Sequence, residues 1–311
     1  MRILFISHYF PPEVNAPASR THEHCRQWVS AGHDVTVVTG VPNHPYGKLF
    51  PGFKNRWIQE EMVDGIRVLR TWMLLTANSG FLKRILNFVL FGLTAAWASR
   101  RIKAPDVVIA TSPQFFCGLS GALVARLKRR PFILEIRDLW PKSIVELDQL
   151  KEGPALRTLE VLERWMYREA DGIVVNTQAF IEHITSAGVP RERIELVYNG
   201  IDANRFQPRP RDEELEKEFD LEGRTTVAYI GTLGLAHGLA AVIETADALR
   251  GEKEILFLLI GGGAEGDRLG RSCAWQAARR CRRHLHLAHR LHRHHQLINT
   301  ATTQWCHPRV P

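Results

Sequence analysis

The stretch RILFISHYFPPEVNAPASRTHEHCRQWVSAGHDVTVVTG, residues 2–40, decides the fold of the first half of the chain. It begins with a short apolar run at 2–7 and continues through a proline-containing loop into a helical pattern at 17–33. Gly32 stands where such a helix stops, and a second apolar run, DVTVVTG, follows at 34–40. Two strands joined through a helix form a crossover, so this stretch predicts two parallel strands.

The same alternation of apolar runs and helical patterns continues along the chain. Further strands are predicted at 66–71, 106–112, 132–138, 172–177 and 194–200. Helical patterns lie between them, notably at 117–129 and 154–170. This order predicts an α/β fold with a parallel sheet that helices cover on both faces.

A polar, proline-containing stretch at 199–214 interrupts this order, and a second domain is predicted after it. Strands at 225–231 and 254–263 enclose a helix at about 238–250. Because an open parallel sheet usually needs four or more strands, two strands leave this domain incomplete. The predicted organisation is a first Rossmann-like domain at 1–205, a linker at 206–224, a truncated second domain at 225–269 and an aberrant basic tail at 270–311 that is not expected to fold.

The net charge of +8 lies in the last 42 residues. Residues 270–311 contain eight arginines and no lysine, aspartate or glutamate, whereas the rest of the chain has equal numbers of basic and acidic side chains. The body of the chain therefore gives no electrostatic reason to expect a nucleic-acid partner. It contains two cysteines, Cys25 and Cys117, and no signal-peptide pattern at its start, so a cytoplasmic protein is expected.

Three hypotheses account for the tail. Its cysteines and histidines include zinc-ligand types, but they lack the grouping of a zinc motif: Cys273, Cys281, His284, His286 and Cys306. Its arginines would bind phosphate if it were a nucleic-acid arm. The joint loss of lysine and acids favours a frameshifted terminus, and this is our preferred hypothesis. We accordingly predict no metal site and no nucleic-acid partner.

The apolar run ILNFVLFGLTAAWA, 85–98, is flanked by basic residues that include Lys83 and Arg84. Its 14 residues fall short of the roughly 20 that a membrane-spanning helix needs. Two alternatives remain open: a helix packed on the sheet, or a helix at the membrane interface with Trp97 on its apolar side.

Three loops carry candidate binding residues. The loop after the first strand lacks GxGxxG, but Asn15, Ala16 and Ala18 are small enough to admit a phosphate to a helix N-terminus. A turn without a ligand is an equal alternative. EIRDLWPKS, 135–143, places candidate site residues beyond the carboxyl end of a strand, where an acid can act as a base or form a structural ion pair: Arg137, Asp138 and Trp140.

The most specific loop is YIGTLGLAHGL, 229–239. Gly231 and Gly234 form a turn after a strand, and His237 and Gly238 lie where the next helix begins. Backbone donors, the helix dipole and an imidazole suit a diphosphate, so this loop is a predicted anion site.

Taken together, several segments resemble the family 4 glycosyltransferases of the GT-B fold: YFPPEVNAPASR, GHDVTVVTGVPNHPYGK, PDVVIATSP, EIRDLWPKS, VYNGID and GTLGLAHGL. They are similar to bacterial exopolysaccharide and O-antigen enzymes, among them fucosyl- and N-acetylfucosaminyl-transferases. The resemblance runs from Met1 to about Leu269. It implies two Rossmann-like domains, with the donor held by the second and the acceptor by the first.

The resemblance also implies the reaction and its partners. A sugar would pass with retained configuration from a nucleotide-sugar, UDP- or GDP-linked, to a lipid-linked glycan at the cytoplasmic membrane face, without a cofactor or metal. Asn15 to Ala18 would approach the donor phosphates. Gly231, Thr232 and His237 would form the diphosphate turn of the second domain.

Two departures from the family pattern affect the expected activity. Many members have a histidine where this chain has TSP, 111–113, which leaves Asp138 and Glu13 as acidic catalytic candidates. A glutamate pair that grips the donor in the family has no counterpart after Leu269, so impaired or absent transfer is expected. The alternative hypothesis is a non-catalytic binding protein whose basic tail contacts nucleic acid or anionic lipid.

Overall fold

The computed structural model describes most of the chain up to residue 270 in two units, Met1–Asn199 and Gly200–Pro311. The described residues are 1–44, 47–76, 81–112, 114–146, 151–200, 207, 210–234, 237–263, 265–266, 268–270 and the backbone of 285–288.

The first unit contains a sheet of eight strands. The strands are β1 (Arg2–Ile6), β2 (Asp34–Gly40), β3 (Ile58–Val63), β4 (Ile66–Thr71), β5 (Val107–Thr111), β6 (Phe132–Ile136), β7 (Gly172–Val175) and β8 (Ile194–Leu196). Their spatial order is β3-β4-β2-β1-β5-β6-β7-β8, and every pair is parallel except β3 with β4. The predicted α/β class with a mainly parallel sheet is confirmed.

Six helices connect these strands. They are α1 (Ala16–Ser30), α2 (Phe81–Ser99), α3 (Phe115–Lys128), α4 (Lys142–Glu146), α5 (Pro154–Glu169) and α6 (Gln178–Ser186), and a 3-10 turn at Arg191–Arg193 precedes β8. Apolar side chains of β1 alternate between two buried clusters: Phe5 packs with Cys25 of α1, and Leu4 packs with Phe91 of α2. The sheet is therefore covered on both faces, as parallel strands require.

This layering creates a switch point at the middle of the sheet. The chain leaves β1 toward α1 on one face, whereas it leaves the neighbouring β5 toward α3 on the other face. In open α/β sheets the crevice beyond the carboxyl ends of two such strands is the usual ligand site.

The sequence did not predict β3. Its residues IQEEMV alternate between half-buried and exposed positions at the edge of the sheet, so the segment lacks the apolar run that marked the other strands. It pairs antiparallel with β4 through a two-residue turn at Asp64 and Gly65, both with positive φ. An Asp-Gly pair is a typical signal for this hairpin turn.

The helix α2 packs on the sheet through Phe91, Ala95 and Ala98, which are all buried. The packing on the sheet that the first alternative predicts for the run at 85–98 is therefore observed, and the interfacial alternative for the outward side of this helix stays a prediction. Among the described residues, none of the helices has the length and apolar character needed to cross a bilayer.

The second unit contains α7 (Glu213–Phe219), β9 (Thr225–Ile230), α8 (Leu239–Ala248), β10 (Ile255–Ile260) and β11 (Leu285–Ala288). The helix α7 lies within the predicted linker at 206–224. The Asp212 carboxylate caps it by accepting from the backbone N–H groups of Glu214 and Leu215. Leu215 and Phe219, four residues apart, are buried in a cluster with Leu256 of β10, so this segment belongs to the core of the second unit.

Four residues of the segment at 270–311 form a strand. The backbone of Leu285–Ala288 pairs in parallel with Phe257–Ile260 of β10, so the second sheet has the order β11-β10-β9. The expectation that this segment does not fold is therefore not met at these four residues. The candidate zinc ligands Cys273, Cys281, His284 and Cys306 lie outside the described residues, and the frameshift hypothesis stays a prediction.

Candidate functional site

The loop after β1 ends at Asn15, the N-cap of α1. The Asn15 side-chain oxygen accepts a hydrogen bond of 2.9 Å from the backbone N–H of Ala18. The Asn15 side chain therefore binds one of the helix N–H groups that were predicted to meet a phosphate. Its Nδ2 is buried and has no hydrogen-bond partner among the described residues, and Ala16 is exposed. A donor contact at Asn15 and Ala16 stays a prediction.

Glu13 lies beneath this loop and is 3% exposed. Its Oε1 accepts from the backbone N–H groups of Asn43 and His44, each at 2.9 Å, which joins the loop after β1 to the loop after β2. Burial raises the pKa of Glu13 to about 7, although these two N–H groups act to lower it. These two hydrogen bonds give Glu13 a role in positioning the loops, and its catalytic role stays a prediction.

The raised pKa of Glu13 predicts that the free energy of unfolding depends on pH. Because the folded pKa of about 7 exceeds the ordinary 4.5, stability is complete below pH 4.5 and falls as pH rises to 7. The loss at Glu13 is about 3 kcal/mol, at 1.36 kcal/mol per pKa unit. Glu13→Gln, which has no such loss, should gain stability relative to the wild type between pH 4.5 and 7 in urea titrations.

Glu60 provides the control, since its pKa is lowered by the hydrogen bond from Arg67. The pH dependence of Glu60→Gln should have the opposite sign and a smaller size, because Glu60 is exposed. If the difference in unfolding free energy between Glu13→Gln and the wild type stays constant from pH 4.5 to 7, the pKa of Glu13 is not raised.

Ser112, at the end of β5, connects this strand to the end of β6. Its Oγ accepts from the backbone N–H of Arg137 at 2.8 Å and from that of Asp138 at 3.4 Å. Burial raises the pKa of Asp138, and a hydrogen bond with the Ser143 side chain opposes this shift. Asp138 thus lies at the carboxyl edge of the sheet with the raised proton affinity that suits a general base.

Trp140, two residues after Asp138, is half-buried. Its ring packs on Phe115 and Phe116 with centroid distances of 5.4 and 6.3 Å. Trp140 thus packs, partly buried, against the core of the first unit, and an acceptor contact at Trp140 stays a prediction.

Two buried polar atoms lie at the switch point between β1 and β5. His8 Nδ1, after β1, and Gln114 Oε1, after β5, have no hydrogen-bond partner among the described residues. Burial lowers the pKa of His8 to about 3, so its imidazole is neutral at physiological pH. Unsatisfied buried polar atoms are rare in folded proteins, and here they mark the place where a polar ligand could bind.

In the second unit, the turn after β9 packs directly against the glycines after β10. Gly231 N–H donates to Ile260 O at 2.9 Å, and Leu233 N–H donates to Gly262 O at 3.0 Å. A Cβ on Gly261 would lie 1.7 Å from Gly231 O, so only glycine fits. These contacts hold Gly231, Thr232 and Gly234 in one fixed turn beside the carboxyl ends of β9 and β10.

The turn ends at the N-terminus of α8. Gly238 is the N-cap at φ 58°, a left-handed conformation that favours glycine, and no side chain caps this helix end. His237 is exposed, and its Nδ1 lies 3.3 Å from Gly234 O. Turn, imidazole and helix end thus lie together in the arrangement predicted for a diphosphate. Ligand binding by these residues stays a prediction.

The close approach of Gly261 to Gly231 O predicts that one added methyl group at Gly261 destabilises the second unit. Gly261→Ala forces the two turns apart, which should cost about 1–3 kcal/mol by overpacking. Hydrogen exchange of the amides of β9 and β10 should then lose protection relative to the wild type. Gly262→Ala is the matched control, since a Cβ there meets nothing within 4 Å. Equal protection in the two variants would contradict the packing of the turns.

The residues on α2 that were predicted to contact acceptor or membrane have different surroundings. Lys83 is exposed, as are Leu86, Leu93 and Trp97 on the same side of the helix. Arg84 is half-buried and close enough to Tyr9 for its charge to act on that phenol. Lys83 and Trp97 therefore share an outward face, whereas Arg84 lies near Tyr9 in the loop after β1.

Three residues near the carboxyl edge of the first sheet were not predicted to have a role. Ser112 and Arg20 make contacts between distant parts of the chain, as does Arg70, which is 1% exposed and donates to Pro11 O at 2.5 Å. An arginine inside the apolar strand IRVLRT was the one sequence signal that could have marked Arg70 as a buried, paired charge. In the part of the chain that the structure describes, no group of three or more histidine, cysteine or acidic side chains could hold a metal ion.

Comparison with protein families gives a match to the glycosyl transferase 4-like domain over residues 15–200, more than half of the chain. The chain is 26% identical over 278 residues to an Escherichia coli K12 protein named as a colanic acid biosynthesis glycosyl transferase, WcaI. This alignment covers 86% of the chain and 68% of WcaI. A GDP-mannose-dependent alpha-mannosyltransferase of Mycobacterium tuberculosis is 21% identical, over 86% of the chain and 65% of its own length.

Solved structures with a similar fold include glycosyltransferases of low sequence identity. Sucrose-phosphate synthase from Thermosynechococcus elongatus gives a TM-score of 0.68 at 13% identity, covering 96% of this chain and 72% of the synthase. Anabaena Alr3699/HepE in complex with UDP and glucose gives 0.62 at 17% identity, with the same coverage. At these identities the similarity establishes the GT-B fold.

Proposed function

The chain belongs to the glycosyl transferase 4-like family and has a GT-B fold, and from this membership we propose that it is a retaining glycosyltransferase of surface-polysaccharide assembly. The match over residues 15–200 is the observation that carries the proposal. WcaI, the relative named for colanic acid biosynthesis, supports a polysaccharide product.

The proposed donor is a UDP- or GDP-sugar. HepE is described with UDP and glucose, and the mycobacterial relative is named as GDP-mannose-dependent. The turn at Gly231–Gly234, together with His237 and the uncapped start of α8, would hold the diphosphate. No resident cofactor is required, because the nucleotide-sugar is itself a substrate.

The proposed acceptor is a hydroxyl of a lipid-linked glycan bound at the switch point of the first unit. A bond forms between this oxygen and the anomeric carbon on the face from which the nucleoside diphosphate leaves, while the bond to the diphosphate breaks, so the configuration is retained. Asp138 is the group that we expect to take the hydroxyl proton, because its pKa is raised and it lies at the carboxyl edge of the sheet. His8, with a pKa of about 3, is a much weaker base.

Of the two outcomes expected from the sequence, impaired or absent transfer, we propose the first, a slow turnover. The paired glutamates implied by the family resemblance would stabilise the donor sugar, and residues 270–311 contain no acidic side chain. The test is incubation of the purified chain with radiolabelled UDP- and GDP-sugars and a polyprenyl-diphosphate-linked glycan. Slow transfer with a retained anomeric configuration in the product would support the proposal, and an inverted product or no transfer from any donor would contradict it.

We further propose that the outward face of α2 binds the membrane surface that carries the acceptor. Leu86, Leu93 and Trp97 are 50%, 62% and 46% exposed, and a spacing of seven and four residues aligns them on one side of the helix. Lys83 and Arg100 lie at the two ends of this apolar row. Basic ends with an aromatic apolar centre suit anionic lipid head groups.

Neighbouring side chains extend this face. The Trp57 ring, 65% exposed, lies 6.3 Å from the Trp97 ring between centroids. The Arg101 guanidinium lies 5.8 Å from the centroid of the Trp97 ring. Tryptophan and arginine are both suited to the interfacial region, where an apolar body meets polar head groups.

Binding to vesicles tests this membrane face. The double variant Leu93→Glu/Trp97→Glu should reduce partitioning to vesicles of anionic phospholipid by about tenfold or more, because it removes two apolar side chains and adds two negative charges. The matched control is Leu123→Glu/Leu127→Glu, since these leucines are exposed at the same spacing on α3. Equal loss in both double variants would show that α2 is not the binding face.

A further inference from the structure

Two arginines from distant parts of the first unit meet at the carboxyl edge of the sheet. Arg20 comes from α1, and Arg137 follows β6. Arg20 Nη1 and Arg137 Nη2 both donate to Oδ1 of Asn199, the latter at 3.1 Å. A neutral amide oxygen is thus the shared acceptor for two cations.

Within the described residues, one carboxylate contacts this pair. Arg20 Nη2 donates to Glu135 Oε1, and these side chains are 11% and 8% exposed. Burial, followed by the charge of Arg20, lowers the pKa of Arg137 to about 10, although Glu135 opposes this. One positive charge at this edge therefore has no ion-pair partner in the described part of the chain.

The arginine pair also has unused donors and an opening to solvent. Arg20 Nε is buried and makes no hydrogen bond with the described residues. Asn199 is exposed, and Arg137 is half-buried. Guanidinium groups with unused donors and an opening to solvent suit an anion with several oxygens, since each group can donate two parallel hydrogen bonds.

We propose that Arg20 and Arg137 form a binding site for a diphosphate group, whose oxygens replace the amide oxygen of Asn199 between them. This inference rests on the proposed function, because both of its substrates carry a diphosphate: the nucleotide-sugar and the lipid carrier of the acceptor. Both arginines and Asn199 belong to the first unit.

Inorganic pyrophosphate is the first probe, titrated calorimetrically into the intact chain. We expect saturable binding that weakens about tenfold in Arg20→Gln and in Arg137→Gln, since each loses a charge-assisted pair of hydrogen bonds. Arg126→Gln is the matched control: Arg126 is an exposed arginine on α3, paired with Glu169. Binding that is undetectable at millimolar pyrophosphate, or equal in all variants, would overturn the site.

Glu135→Gln separates an anion site from a structural ion pair. Removing the one carboxylate in contact with the pair should tighten pyrophosphate binding by about threefold or more, because the pair gains net charge. If the arginines act only to stabilise the fold, Glu135→Gln leaves pyrophosphate binding unchanged and lowers the unfolding temperature.

Two further probes identify the source of the diphosphate. Geranyl diphosphate represents the lipid carrier, and UDP and GDP represent the donor. Arg137→Gln should weaken the binding of whichever probe uses this site and leave the binding of the other unchanged. The outcome is independent of transfer: pyrophosphate binding without sugar transfer would refute the proposed function alone, and transfer without pyrophosphate binding would refute this site alone.

Discussion

Replacing Asp138 with asparagine lowers the rate of sugar transfer by about 100- to 10,000-fold, the usual contribution of a positioned general base. The amide keeps the shape of the carboxylate and can still bond with Ser143, so the fold is expected to persist. Because burial raises the Asp138 pKa, the wild-type rate should fall as pH drops through that raised pKa. The same pH dependence should be absent from Asp138→Asn.

The measurement is the initial rate of radiolabel transfer to the lipid-linked glycan, at several pH values. Asp106→Asn is the matched control, since Asp106 precedes β5 at the opposite edge of the sheet and forms an exposed pair with Arg2. That variant should retain the wild-type rate. A rate for Asp138→Asn within a factor of two of the wild type would remove Asp138 from the reaction.

Replacing Arg70 with methionine lowers the free energy of unfolding of the first unit by about 2–3 kcal/mol, because a buried guanidinium loses its hydrogen bonds to a partly exposed carboxylate and to a loop carbonyl. The guanidinium donates to Glu61 Oε1 at 2.6 Å and to Pro11 O at 2.5 Å. Its loss leaves the Glu61 carboxylate without its partner and the loop carbonyl without its donor. Since Pro11 lies in the loop after β1, this loop should also be held less firmly at the carboxyl edge of the sheet.

Urea unfolding followed by tryptophan fluorescence measures this change, because Trp57 and Trp72 flank β3 and β4. The neighbouring Arg67→Met is the matched control: Arg67 pairs with Glu60 on the same two strands, but the two side chains are 38% and 51% exposed. Exposed pairs contribute about 1 kcal/mol or less. Similar losses in the two variants would contradict the assigned role of Arg70.

The sequence predicted the main elements because their apolar runs are buried on both faces. β1 and β5 contain uninterrupted apolar runs, the run of β2 is broken only by Thr36, and all three strands were expected. β3 was missed because an edge strand exposes alternate residues, and α7 was missed because charges conceal the apolar pair Leu215 and Phe219. Local composition identifies a buried strand more easily than a half-exposed one.

The site was predictable only in part, for a related reason. The carboxyl ends of strands are local features, so the positions of Arg137, Asp138 and the turn at Gly231 followed from the pattern. The partners of these residues are distant in sequence: Arg20 contacts Glu135, and Glu13 binds the backbone of Asn43. The sequence therefore offered Glu13 as a catalytic candidate but could not show the contacts through which it positions two loops.

Equilibrium binding of UDP and GDP to the intact chain tests the central claim most directly, since every proposed step begins with a nucleotide-sugar. We predict saturable binding of one of the two nucleotides, competition by the corresponding nucleotide-sugar, and weaker binding in Gly261→Ala than in Gly262→Ala. If neither nucleotide binds at millimolar concentration, this chain does not act on a nucleotide-sugar.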